Sequence, residues 1–335
     1  MSSSLKQILT HFPQFNDNDL INFSFGYGSG VIKQQQDIDK PNSNVQNQID
    51  LILSVKNSYQ FHQENLKINY TDYSYLRYFG ASTITRFQEN SGARIYFNPY
   101  VRINNDMIKY GIISRRHLIR DLLDWETLYV AGRLHKPVRL LKFDPNDQDL
   151  IYALETNLTS ALHVALLLLP EEFTLKELFL KITSLSYQGD FRMIIGENKQ
   201  KISNIVLGQF QEFIDLYSKL LINDTHIYWN KVRTTETLLK QNISPVAIFK
   251  RLLNLPKYVV YGLIESTTMK TRQYQDTEEV IKKLCLSTQR NERIEFAVKN
   301  IVKRSSLSQT FKGIITAGFI RSTRYAFAKL TKMLK

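Results

Sequence analysis

Phe25-Gly26-Tyr27-Gly28-Ser29-Gly30-Val31, followed after a polar stretch by Gln48-Ile49-Asp50-Leu51-Ile52-Leu53-Ser54-Val55, carries the reading of this chain. Glycines admit backbone N–H groups close to phosphate oxygens because no Cβ stands in the way. Ser29 adds a hydroxyl donor. Ile49, Leu51, Leu53 and Val55 alternate with Asp50, Ile52 and Ser54, the period of a strand. An aspartate on such a strand, near the glycines, is placed to hold a divalent metal against the same phosphates. That order suggests nucleotide chemistry. The competing reading is a glycine-rich hairpin followed by an ordinary strand, because a lone glycine motif is weak.

Working outward, 335 residues suffice for two domains with a sizeable core each. The net charge of +13 favours phosphate-rich partners, whether nucleic acid, anionic lipid or nucleotide, without choosing among them. Cys285 is the sole cysteine, which excludes an intrachain disulfide and cysteine-cluster zinc sites. The longest apolar run, 161–169, is interrupted by His163 and stops at Pro170, so no transmembrane helix is expected. The amino terminus lacks acids as far as Asp17 but also lacks arginine, a poor match to a mitochondrial presequence.

Residues 20–113 read as mixed strand and loop, with strands expected at 49–55, 92–97 and 108–113 and an exposed loop around Pro41. A helix is expected over 118–129, then a strand over 137–143. From about Asp149 the pattern turns helical: 150–169, then 174–185 behind a Thr174–Glu177 capping box, 201–221, and a helix opening at Ser244-Pro245. After Glu295 there are no acids. On a helical wheel Ile315, Phe319, Ala326, Leu330 and Met333 face one side, and Arg321, Arg324, Lys332 and Lys335 the other. Lys312 and Lys329 spoil that pattern and Gly313 and Gly318 weaken the helix. A basic membrane-binding helix and a terminal helix docked on its own domain both fit.

Further blocks run in order along the chain. They are Phe61-His62, Asn65-Leu66, Asn69-Tyr70, Tyr96-Phe97-Asn98-Pro99-Tyr100-Val101 and Ile108-Lys109-Tyr110-Gly111-Ile112-Ile113-Ser114. Then come Leu128-Tyr129-Val130-Ala131-Gly132-Arg133-Leu134-His135-Lys136-Pro137-Val138, Leu185-Ser186-Tyr187-Gln188-Gly189-Asp190-Phe191-Arg192-Met193 and Gly196-Glu197-Asn198-Lys199-Gln200-Lys201. With the glycine run and Asp50, this succession resembles the mitochondrial-type CDP-diacylglycerol synthases, also called mitochondrial translocator assembly and maintenance proteins.

The resemblance implies an α+β chain: a nucleotidyltransferase-fold domain with a mixed sheet over 1–148, a helical winged-helix-like domain over 149–300, and a basic membrane-associating amphipathic tail over 301–335. It implies that CTP and phosphatidate give CDP-diacylglycerol and diphosphate, with Mg2+. The implied location is the matrix face of the mitochondrial inner membrane, peripheral to it, upstream of phosphatidylglycerol and cardiolipin. No nucleic acid is expected on this reading. The runner-up is a basic nucleic-acid-binding protein, or a nucleotidyltransferase acting on RNA or protein.

Such a reaction asks for positioning and charge stabilisation more than proton transfer. Gly28, Ser29 and Gly30 are assigned to the triphosphate and Asp50 to magnesium. The general nucleotidyltransferase pattern has a second acid two residues on, where this chain has Ile52; Asp121, Asp124 and Asp190 are candidates for the missing oxygens, with a solvated helix face as the alternative for the first two. Lys109 and Lys136 are expected to neutralise phosphate, or else are strand-end surface lysines. Asp190 and Arg192 either pair with each other or Arg192 clamps phosphate. Lys199 and Lys201 face the lipid phosphate or solvent. His62 is expected to be a hydrogen-bonded histidine, Asn65 and Asn69 to read cytosine or cap an element, and His163 to be a satisfied core histidine.

Overall fold

A computed structural model of the chain describes residues 7–13, 20–32, 48–195, 200–229, 232–271 and 276–317. β1 (Ile21–Tyr27), β2 (Ile49–Val55), β3 (Ile95–Ile103), β4 (Asp106–Ser114) and β5 (Arg139–Lys142) form one sheet in the order β3-β4-β2-β1-β5. β2 and β4 run parallel and the other neighbours antiparallel, so the sheet is mixed. A parallel pair needs a crossover. Here it passes through α1 (Ser58–Ile68), two 3₁₀ turns (Tyr70–Asp72 and Tyr75–Phe79) and α2 (Gly80–Asn90) before β3.

Those helices correct the expectation of strand and loop over 20–113. α1 buries Ser58, Phe61, His62 and Asn65, which is helical spacing, but three of the four are polar, so no apolar stripe announces the helix. Asn57 caps it, accepting from the Gln60 amide.

α3 (Arg115–Asp124) follows β4 and is shorter than the expected 118–129 helix. Trp125 and Leu128 have φ of 55° and 53°, left-handed values that a right-handed helix cannot contain. The short α4 (Ala131–Leu134) comes next, and then α5 (Gln148–Leu168). α5 is long and apolar enough to cross a bilayer by composition, yet 56% of its apolar window is buried inside the protein, as in a core helix.

β6 (Glu172–Thr174), β7 (Ile227–Tyr228) and β8 (Leu238–Gln241) make a small antiparallel sheet in the order β6-β8-β7. The helices after β6 are α6 (Leu175–Leu185), α7 (Arg192–Ile195), α8 (Lys201–Gly208), α9 (Phe210–Asn223), α10 (Pro245–Leu253), α11 (Lys257–Thr271), α12 (Thr277–Cys285) and α13 (Arg290–Ala317). The Thr174–Glu177 capping box is present. The helix expected over 201–221 is interrupted at Gln209, whose φ of −131° and ψ of 26° follow Gly208.

The chain is an α+β protein built as two compact units. The first draws on Met1–Ile119, Val138–Asp149 and the residues from Ser305, the second on Arg120–Pro137 and Leu150–Arg304. Residues 120–137, expected with the first domain, therefore pack in the second. Residues 305–317, expected in the tail, pack in the first unit. Of the expected basic amphipathic helix, Lys312, Gly313 and Ile315 are described; Phe319, Arg321, Arg324, Ala326, Lys329, Leu330, Lys332, Met333 and Lys335 lie outside the described residues.

Candidate active site

In the first unit the glycine run leaves the end of β1 as a tight turn. Gly28 has φ of 79°, a left-handed value, and its carbonyl accepts from the amides of Val31 and Ile32 at 3.0 Å each. Among the described residues the amides of Ser29 and Gly30 have no such partner, so they remain available to an anion. Gly30 passes so close to β2 that a Cβ there would lie 2.2 Å from the Gln48 carbonyl oxygen. A Cβ on Gly28 would stand 3.7 Å from Asp50 Oδ2, so the turn and the aspartate face each other. Tyr27, the cross-strand partner of Asp50 on β1, completes that edge.

Asp50 pairs on its other side with Lys109 of β4. The ammonium stands 3.5 Å from Asp50 Oδ1 and 4.6 Å from the centre of the Phe97 ring. Phe97 lies over Gly111, where a Cβ would meet its ring at 2.5 Å, so the missing side chain makes room for the aromatic beside the lysine. Asp50 Oδ1 is buried yet accepts no hydrogen bond among the described residues. Ile52, at the position of the usual second acid, is fully buried.

A polar network supports the unit. Asn65 Nδ2 donates to the hydroxyls of Tyr73 (2.9 Å) and Tyr110 (3.1 Å), and Tyr110 donates to Asp72. Asn69 Nδ2 donates to Asn65 Oδ1 at 2.9 Å. His62 lies between the Tyr73 hydroxyl and Gln88 Oε1, and burial lowers its pKa to about 4, so the ring is neutral. These side chains hold one another. His62 is the hydrogen-bonded histidine expected, and Asn65 and the Asn69 Nδ2 group are engaged within the fold, Asn69 also standing as the C-cap of α1.

The second unit gathers another set. Asp121 is buried rather than solvated: Oδ1 accepts from the amides of Thr127 and Leu128 and from the Thr127 hydroxyl, and Oδ2 from the amides of Val130 and Ala131. Five donors saturate it, so it fastens the left-handed 125–128 turn and has no oxygen left for a metal. Trp125 and His135 both donate to Asn157 Oδ1, which fixes the segment leading to Lys136. Lys136 Nζ donates to Ser186 Oγ at 2.7 Å and sits 4.9 Å from the Tyr187 ring centre. Dense packing around the ammonium, and then the charges of Arg133 and Lys201, push its pKa well below the usual lysine value. Lys201 lies 5.3 Å from the same ring, and Arg133 stacks on Tyr129 at 4.0 Å. Gly132 approaches so closely that a Cβ would meet Ser186 Cβ at 2.4 Å.

Asp190 and Arg192 pair with each other, the closest contact 2.6 Å, and the Arg192 amide also donates to Asp190. Lys199 lies outside the described residues. Asp124 is half-buried at the end of α3. His163 departs from the expected satisfied core histidine: it is only partly buried, and its Nδ1 has no hydrogen-bond partner among the described residues.

A family model described as "Phosphatidate cytidylyltransferase, mitochondrial" matches residues 5–332. The chain belongs to the mitochondrial phosphatidate cytidylyltransferase family. A Caenorhabditis elegans protein of that name is 40% identical over 317 residues, 95% of each chain. A Mus musculus relative is 38% identical over 332 residues, 99% of this chain and 94% of its own. A Homo sapiens relative is 36% identical over 316 residues, 94% and 67% respectively. Among solved structures, a nucleotidyltransferase-like protein from Exiguobacterium sibiricum 255-15 aligns with 11% identity and a TM-score of 0.23, over 90% of this chain and 73% of that one, too distant to inform the fold.

For this family member the donor set bears on magnesium. Among the described residues no three His, Cys, Asp or Glu side chains cluster. A magnesium ion keeps several waters and is commonly held by one or two carboxylates plus substrate phosphates. Asp50 Oδ1, buried and ion-paired with Lys109 but accepting no hydrogen bond among the described residues, fits such an ion as its single protein carboxylate. Tyr27, Phe97, Arg133, Ser186 and Tyr187 were not singled out from the sequence as site residues, although all lie in the quoted blocks. Their roles depend on strand register and on which turn faces which helix.

Proposed function

We infer that this chain transfers the cytidylyl group of CTP to phosphatidate, giving CDP-diacylglycerol and diphosphate. The observation that carries the reading is the facing pair of Asp50 and the Gly28–Gly30 turn, with Lys109 beside the carboxylate. A phosphate-cradling turn, a metal-competent carboxylate and a cation are what nucleotidyl transfer needs. Family membership supports the choice of CTP and phosphatidate.

In the reaction an oxygen of the phosphatidate monoester bonds to the α-phosphorus of CTP, and the bond to the α,β-bridging oxygen breaks. The monoester is already an anion, so no side chain must take a proton. The Ser29 and Gly30 amides and the Ser29 hydroxyl bind triphosphate oxygens. Asp50 would hold magnesium, which when bound would supply positive charge against the triphosphate. Lys109 orients Asp50 and offsets phosphate charge. In the second unit, Lys136 and Lys201, with Arg133, are assigned to substrate phosphate; Asp190 serves by holding Arg192 in place.

The first unit is the nucleotidyltransferase domain on this reading, and the small β6-β8-β7 sheet with its helices supports a winged-helix-like second domain. The names of the relatives support a mitochondrial location. The matrix face of the inner membrane, a peripheral attachment and a supply to phosphatidylglycerol and cardiolipin belong to the same proposal.

The test is diphosphate release by the purified chain with CTP, magnesium and phosphatidate vesicles, run beside ATP, GTP and UTP. Release that requires both CTP and phosphatidate, with CDP-diacylglycerol recovered, is expected. A folded sample that releases nothing with any nucleotide overturns the reading.

A further inference from the structure

We propose that residues 70–79 form a rigid platform that seats the first unit on the headgroup region of an anionic bilayer. The two 3₁₀ turns sort their side chains by direction. Asp72 faces inward, accepting from the Tyr110 hydroxyl at 2.8 Å and facing His11 Nε2 at 3.0 Å. Tyr73 is 1% exposed, its hydroxyl bonded to His62 and Asn65, and Leu76 is buried. Three anchors in five residues leave the segment little freedom.

The remaining large side chains point into water. Ile68, Tyr70, Tyr75, Tyr78 and Phe79 are all exposed, Tyr78 to 69% and Phe79 to 63%. Arg77 stacks between two of the rings, its guanidinium carbon 4.8 Å from the centre of Tyr70 and 5.1 Å from that of Tyr78. An aromatic cluster built on the Tyr70–Arg77–Tyr78 stack and held outward by a buried polar anchor marks an interaction surface. Tyrosines and a stacked arginine, apolar in body and polar at the tip, suit the boundary between acyl chains and headgroups.

Charge selects the occupant. Asp72 is turned inward and Glu64 is paired with Lys67 at 2.8 Å, so Arg77 leaves the outward face of residues 70–79 positive. Two copies meeting through this patch would oppose like charges, whereas an anionic bilayer attracts them. The choice of a bilayer rests on the reading that the substrate is a lipid.

The experiment uses the full chain carrying Phe79→Trp, with phosphatidylcholine–phosphatidylglycerol vesicles that contain no phosphatidate or CTP. The added tryptophan emission, taken against the parent chain, should shift to the blue and be quenched by brominated acyl chains. The double variant Tyr78→Ser/Phe79→Ser should partition about tenfold more weakly, while Tyr152→Ser, an exposed tyrosine on α5, should not change. Absence of quenching, with the chain floating on the vesicles or not, overturns the proposal. So does a blue shift that depends on protein concentration without vesicles, which would assign the patch to a second copy. Because no substrate is present, quenching without any cytidylyl transfer in the diphosphate assay would sink the catalytic reading and leave the platform standing.

Discussion

Asp50 Oδ1 and Lys109 Nζ stand 3.5 Å apart across the parallel β2–β4 pair, with the lysine over the Phe97 ring and the carboxylate facing Gly28. Asp50 carries the only protein carboxylate assigned to the metal, so no neighbour substitutes for it. Asp50→Asn should lower turnover at least about a hundredfold while the circular dichroism spectrum stays that of the parent. An asparagine variant with parental turnover removes Asp50 from the chemistry. Lys109→Met should lower turnover less, because the metal ligand remains.

Gly30 and Gly26 separate steric need from proximity to the site. A Cβ on Gly30 meets a backbone carbonyl at 2.2 Å, which has no rotamer to escape into, whereas one on Gly26 meets the Val31 methyls at 3.1 Å, which can shift. Gly30→Ala should therefore cost roughly 2–4 kcal/mol of stability and Gly26→Ala less than about 1 kcal/mol. Urea unfolding of the two variants checks the order. Equal costs would mean that the turn rearranges around Gly30.

Asp121 tests whether a carboxylate in a family block is structural. Replacing one oxygen by an amide sets an N–H donor against two or three backbone and hydroxyl donors. Asp121→Asn should cost about 2–4 kcal/mol, seen as a lower urea midpoint. The magnesium concentration giving half-maximal turnover should stay unchanged at a temperature where the variant is folded. A shifted magnesium dependence without lost stability would reinstate Asp121 as a metal ligand.

β2 was legible because Ile49, Leu51, Leu53 and Val55 alternate with residues of the opposite face, and the capping box of α6 because its signal is local. α1 was hidden because, beside Phe61, its buried face is Ser58, His62 and Asn65, polar residues that repay burial only once Tyr73 and Gln88 arrive from later in the chain. The end of α3 was hidden because left-handed Trp125 and Leu128 are stabilised by Asp121 rather than by glycine. In the site, Gly28 and Asp50 could be read from order along the chain. The Asp50–Lys109 pairing could not, since it exists only in the parallel register of β2 and β4, nor could the meeting of Lys136 with Ser186 and Tyr187.

Lys312 looked like an error in an amphipathic pattern, and its position in the first unit gives it a measurable signature. It is 3% exposed, and its ammonium donates to the carbonyls of Gln88 and Ser91 at 2.9 Å each. Gln309, three residues earlier on α13, accepts from the Ala93 amide at 2.9 Å, so two side chains fasten this helix to the turn between α2 and β3. Burial, and secondarily the charge of Arg94, lowers the Lys312 pKa from 10.5 to about 7. In the unfolded chain the lysine keeps its proton up to about pH 10. Between pH 7 and 10.5 the unfolded state therefore binds more protons than the folded one, and stability rises with pH. Below pH 7 both states are protonated and this group adds no slope. Lys312→Met removes the titration, so the stability of the parent minus that of the variant should be flat from pH 6 to 7. It should then climb by up to about 1.4 kcal/mol per pH unit toward pH 10. Urea unfolding of both chains across that range measures it. A difference that stays flat throughout would mean that Lys312 titrates as an exposed lysine does and that its two carbonyl contacts do not hold the helix in place.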